Sequence, residues 1–180
     1  MRLPADFGIE KLSCPLHNNV VVKLPSSGRL VGANSAILAL NSPVLDSLFT
    51  KQQRGLVEFA DLLPPDAAVE DTVVEGFIAA LYCGRVALDF ASFRGVSLLA
   101  ERLQVAWLRA KCRRWFERRV EKAGDYEALA WIVEEAARNR NYTELVVEKL
   151  ATLGPEEGAD FLTSYFSQVN SRPANHSTVF

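Results

Sequence analysis

The chain has 180 residues, 49% of them hydrophobic, with a mean hydropathy of +0.04: enough apolar side chain for a core and too much for a disordered chain. Its 20 basic and 22 acidic residues leave a formal charge of −2, which argues against a globally basic nucleic-acid binder. No apolar run approaches the roughly 20 residues of a membrane span, and the opening Met1–Asp6 has no signal-peptide character, so an intracellular protein of the cytoplasm or nucleus is expected.

Residues 1–17 are broken by Pro4, Gly8 and Pro15 and are expected to be partly ordered, with one amphipathic turn at Phe7, Ile9 and Leu12. Val20–Leu24 is short, β-branched and closed by the turn residues Pro25–Gly28; with Arg29–Val31 it predicts a hairpin. From Asn34 the period turns helical, and Ala36, Ile37 and Leu40 form a stripe that stops near Asn41. Ser42-Pro43 restarts a helix, because a serine accepts from free backbone N–H groups and a proline at the first helical position loses no hydrogen bond. Val44, Leu45, Leu48 and Phe49 give that helix its apolar face.

Thr50–Gly55 is polar and reads as a loop, and Leu56–Phe59 alternates as a half-buried strand does. Val74, Phe77, Ile78 and Leu81 predict a helix over 72–82, ended by Gly84 and followed by a short strand over Gly84–Leu88. Val96, Leu99, Ala100 and Leu103 mark the next helix; Leu108, Cys112, Trp115, Phe116 and Val120 mark the one after it. Beyond Gly124 no strand is expected. Three helices follow, centred on Leu129–Ala136, Leu145–Leu150 and Phe161–Phe166, with Gly154-Pro155 breaking the last two; Ser167–Phe180 reads as a flexible tail. The fold class is α+β, a helical cluster with a small mixed sheet, followed by an all-helical extension at 125–166.

Catalytic parts are missing. The two histidines, His17 and His176, fall in segments expected to be poorly ordered, and no phosphate loop or nucleophile elbow is present. Glu134-Glu135 and Glu156-Glu157 look like solvated helix faces. Cys14 and His17 have two residues between them and no second ligand pair follows, so no metal and no cofactor are expected; Cys14, Cys83 and Cys112 read as free thiols. Between Arg109 and Lys122 seven cations face only Glu117 and Glu121. Arg109, Arg113, Arg114 and Arg118 form either a surface for phosphate or an acidic partner, or the solvated face of a helix that buries its apolar stripe. No platform of exposed aromatics accompanies them, so nucleic acid is not an expected partner.

Four motifs in order resemble the BTB/POZ domain. The segment Ala33–Phe49 is similar to its helical pair, "VLAA-x-SP-x-F-x-x-MF"; Val57–Asp61 to its "V-x-L-x-D" strand; Leu81–Val86 to its "IYTG" helix exit; and Leu98–Cys112 to "LL-x-AA-x-x-LQV-x-x-L-x-x-x-C". The resemblance places this domain at residues 18–122, and 125–166 resembles the BACK/3-box extension of cullin-3 adaptors. It implies a protein-binding module without an active site, a homodimer, and recruitment of cullin-3 to a ubiquitin ligase. The alternative is an oligomerisation scaffold, for example of a transcription regulator, that does not bind cullin. The partner-binding residues implied are Leu48, Phe49, Gln53, Arg54 and Leu56, although plain core packing is an equal reading for Leu48. Two departures from the family stand out. Thr50–Gly55 carries no acid and sets Arg54 where adaptors place a glutamate, which at an interface built for an anion costs a few kcal/mol or changes the docking pose. Asn19 (or Asn18) and Asn34 stand where the family often has an aspartate and a histidine or lysine, leaving any dimer seam there uncharged.

Overall fold

The structure is a computed structural model that describes residues 18–52, 55–65 and 67–171. Strand β1 (Val20–Lys23) alternates as expected, with Val20 and Val22 buried. Gly28, at φ +68°, supplies the left-handed residue of the turn, and β2 (Leu30–Ala33) returns antiparallel with Val22 opposite Val31. Strand β3 (Leu56–Glu58) lies on the other side of β1, parallel to it, with Val22 opposite Val57. A parallel neighbour requires a crossover, and the helices α1 (Ser35–Asn41) and α2 (Pro43–Gln52) provide it. Val20, Val22, Val31, Ala33 and Val57 form the buried face of this mixed sheet.

Asn34 caps α1, its Oδ1 accepting from the Ala36 and Ile37 amides at 3.0 and 3.3 Å. The loop expected from Thr50 begins later, because α2 runs through Gln52: polarity there marks the outward side of a helix, not its end. A 3-10 turn at Phe59–Leu62 leads towards α3 (Asp71–Cys83), which Gly84 ends at φ +65°. The strand expected over Gly84–Leu88 does not form. So short a run becomes a strand only against a partner edge, and none pairs with it among the described residues. The segment instead delivers Asp89 to the start of α4 (Phe90–Arg102), where Asp89 and Ser92 form a capping box. Hydrogen bonds from the Ser92 hydroxyl and amide hold the Asp89 carboxyl below its ordinary value.

Phe59, Phe77, Phe93, Leu38, Leu45 and Leu99 fill the core of this first unit. Gly95 sets the spacing of α3 and α4: a Cβ there would lie 2.7 Å from a Val73 methyl carbon and 3.4 Å from one of Val69. Valine is stiff at χ1 and yields little. Gly95→Ala is therefore expected to cost about 1–3 kcal/mol through overpacking, against the gain in helix propensity that the same change brings on an open face. Urea unfolding of the variant beside Gly76→Ala, whose Cβ would meet open space on α3, checks this.

The division into compact units falls between Cys112 and Arg113, within α5 (Ala106–Lys122) and ahead of residue 122, where the sequence places the end of the first domain. The second unit holds the rest of α5, α6 (Tyr126–Arg138), a 3-10 turn at Arg140–Tyr142, α7 (Thr143–Thr152) and α8 (Pro155–Ser171). Its core is aromatic. Phe116 stacks on Tyr142 at 4.4 Å between ring centres, Trp131 meets Trp115 edge-on at 6.0 Å, and Tyr126 lies 5.4 Å from Phe161. The tail expected from Ser167 starts as helix: α8 continues to Ser171, because Leu162, Phe166 and Val169 keep the helical period past that point. Residues 1–17 and 172–180, with Cys14, His17 and His176, lie outside the described residues. Among the described residues no helix is long and apolar enough to cross a membrane, and no group of three or more His, Cys, Asp or Glu stands ready for a metal.

Candidate partner-binding site

The corner between α1 and α2 is built on Ser42, which is fully buried. Its hydroxyl accepts from the Leu45 amide at 3.1 Å and donates to the Leu103 carbonyl, at the end of α4, at 2.6 Å. Asn41 makes a second tie. Its Nδ2 donates to the carbonyls of Ile37 and Leu81, and its Oδ1 accepts from Trp107 Nε1 at 3.0 Å, so one amide joins α1, α3 and α5. Together they fix α2 against the turn between α4 and α5.

That turn is a Schellman motif. The Gln104 amide donates to Glu101 O at 3.2 Å and the Val105 amide to Ala100 O at 2.9 Å, while Gln104 takes φ +54°, a conformation more often given to glycine. Val105 and Ala100 are buried beneath it, and Gln104 is left exposed beside α2. Between them opens a shallow hollow of about 410 Å³ lined by Pro43, Val44, Ser47, Leu48, Lys51 and Gln104. Pro43, Ser47 and Lys51 are spaced i, i+4, i+8 along α2, and Val44 and Leu48 are spaced i, i+4 beside them, so one helix face provides an apolar floor with a single cation. No acid lines it; the one acidic residue of α2, Asp46, is exposed outside the lining.

Leu48 lines the hollow and is half-buried, so it is neither pure core nor fully exposed. Phe49 is half-buried on the same helix but outside the lining. Leu56 begins β3 with 41% of its surface exposed. Gln53 and Arg54 lie outside the described residues. Sequence reasoning missed Pro43, Ser47, Lys51 and Gln104 as members of this face; the α2 spacing carried the signal for three of them, whereas Gln104 enters only through its left-handed turn.

The basic run is partly neutralised. Arg109 Nε lies 2.9 Å from a carboxylate oxygen of Glu101, and Arg113 Nε lies 3.0 Å from one of Glu117. Arg114 and Arg118 are exposed on the second unit, where the Arg119 guanidinium sits 4.8 Å from the Trp115 ring centre. Asn19 and Asn34 are engaged locally: Asn19 exchanges two hydrogen bonds with Ser35, each 2.8 Å, and the Asn34 amide donates to the Tyr82 hydroxyl at 2.5 Å. Burial, followed by the nearby Glu101 charge, pushes the Cys112 thiol up to about 12, which leaves it inert as a nucleophile.

The profile of the BTB/POZ domain matches residues 14–119. The chain belongs to the BTB/POZ family. Among 87 solved chains that match is the BTB (Tramtrack and Bric a brac) domain of human gigaxonin, at 16% identity and a TM-score of 0.46, covering 56% of this chain and 78% of that one. No curated protein sequence matches. The BTB/POZ domain is a protein–protein interaction module, and its Ser42-Pro43 corner, small mixed sheet and Leu103–Val105 turn are those described above.

Proposed function

We propose that this BTB/POZ chain recruits a protein partner through the α2 face, and that the partner is the N-terminal region of cullin-3. In this reading the chain is an intracellular, non-catalytic adaptor of a ubiquitin ligase that self-associates through its BTB/POZ domain, residues 18–122, and carries a BACK-like extension at 125–166. The hollow bounded by Pro43, Val44, Leu48 and Gln104 supports it best, since a concave apolar patch is where an inserted side chain contributes most of an interface's energy. Leu48, Phe49 and Leu56 supply apolar contact in this reading, and Gln53 and Arg54, between them in the sequence, are polar partner-binding residues.

A second reading, a scaffold that self-associates without cullin, is favoured by charge: Lys51 is in the lining, which holds no acid, and the sequence Thr50–Gly55 adds Arg54 and no acid. Titration of the full chain with the cullin-3 N-terminal region separates the two. The adaptor reading expects saturable binding that Leu48→Asp and Phe49→Ala each weaken about tenfold or more, a loss of about 1.4 kcal/mol or more. The scaffold reading expects no binding by the wild type and a dimer in light scattering.

A further inference from the structure

Gln104 holds a backbone conformation that its side chain disfavours. At φ +54° it is, among the described residues, the one non-glycine in the left-handed region, where a Cβ crowds the following carbonyl oxygen. The chain meets the same demand elsewhere with glycine, at Gly28 and at the end of α3 with Gly84. The fold draws no bond from the Gln104 side chain in return. Leu103 and Val105 on either side are fully buried and anchor the turn, whereas Gln104 is exposed and its amide makes no hydrogen bond among the described residues. Its place is nevertheless fixed. The Leu103 carbonyl accepts from the hydroxyl of Ser42, the residue ahead of α2, at 2.6 Å, so the turn is tied to the helix it faces.

That helix and Gln104 line the same hollow. Val44, Ser47 and Leu48 are half-buried and form its floor; Pro43, Lys51 and Gln104 are exposed and form its rim. Pro43 has no polar side-chain atom and Lys51 only donates, so Gln104 is the rim residue that both donates and accepts. The hollow is shallow, and an apolar side chain that enters it brings its own peptide groups to the rim. Those groups lose water there, and a peptide N–H or C=O without a new partner weakens the complex.

We propose that Gln104 is a specificity-determining residue of the α2 face, hydrogen-bonding the main chain of the partner segment whose apolar side chain enters the hollow. This rests on the adaptor reading, with the cullin-3 N-terminal region as the partner. The left-handed strain is then offset in the complex and not in the free chain. Because peptide groups inside a helix are already paired, the amide selects a segment with free main-chain groups, an extended stretch or a helix end.

Titration of the full chain with the cullin-3 N-terminal region, beside urea unfolding of the same variants, tests this. Gln104→Gly relieves the strain and is expected to unfold at a midpoint no lower than wild type, yet to bind about five- to tenfold more weakly. Gln104→Ala removes the amide but keeps a Cβ in the turn, and is expected to weaken binding to the same extent. Wild-type affinity in both variants, while Leu48→Asp still weakens binding, overturns this inference and leaves the adaptor reading standing. Weakening by Gln104→Gly alone also overturns it and assigns the effect to a loosened turn. So does a Gln104→Gly midpoint clearly below wild type, since the side chain would then serve the fold. A wild type that does not bind overturns both readings.

Discussion

Ser42→Ala is expected to lower the stability of the first unit by about 3 kcal/mol, a large effect for the loss of one oxygen atom. Two losses add. The cap of α2 disappears with the bond from the Leu45 amide, for which the usual cost is about 1 kcal/mol. The Leu103 carbonyl then keeps no partner at the end of α4, and a buried acceptor left unsatisfied costs about 1–3 kcal/mol more. No water replaces the hydroxyl easily, because Ser42 and Leu103 are both fully buried. Urea unfolding should show a lower midpoint and an unchanged slope. Ser47→Ala, on the same helix but at a half-buried position without this bond, is the control and is expected within about 0.5 kcal/mol of wild type. Equal midpoints for the two variants would mean that the hydroxyl does not hold the corner.

Asn41→Asp is expected to be comparably severe at neutral pH and milder in acid. The amide donates to Ile37 O and Leu81 O at 2.9 and 3.2 Å, and a carboxylate in its place loses both bonds and faces two carbonyl oxygens, at a cost of about 3 kcal/mol. The same repulsion raises the carboxyl pKa of the folded variant above its unfolded value of about 3.9. A raised carboxyl binds its proton more tightly in the folded state, so stability is recovered as pH falls through the folded value and levels off below the unfolded one. The deficit relative to wild type should therefore shrink between neutral pH and about pH 4. Asn41→Leu lacks the charge and should show a deficit without that pH dependence.

What the sequence made legible is what short-range chemistry decides. Ser42-Pro43 announces a capped helix start, Asn34 a cap, Gly84 a stop, and the valines of β1 alternate against those of β2. The misreadings share one cause. Gly84–Leu88 has strand-like residues but no edge to pair with, and pairing is a long-range fact. Thr50–Gln52 looks like a loop only when polarity is taken for irregularity, because the outer side of α2 is polar while its inner side, through Leu45, is buried. Ser167–Ser171 extends a helix whose period was visible as far as Val169.

The candidate site was half legible for the same reason. Leu48 was named from its place in a helical motif, and Val44 from the same apolar face. The hollow, however, needs Gln104 to turn left-handed and Leu103 to meet Ser42, two residues 61 positions apart in the chain. The reading of Arg109–Arg118 as one basic surface was limited by partners that spacing alone cannot assign: Glu101 reaches Arg109 from α4, and Trp115 receives Arg119. Net charge along a helix counts cations without saying which of them are already neutralised.

The proposed function requires the α2 face to be the docking surface for a protein partner. Hydrogen–deuterium exchange of the full chain, free and saturated with the cullin-3 N-terminal region, reads that surface directly. Slowed exchange concentrated in Val44–Lys51 and around Gln104 is the predicted result. Binding that protects the second half of α5 and leaves α2 unchanged, or no binding at any concentration reached, would contradict it.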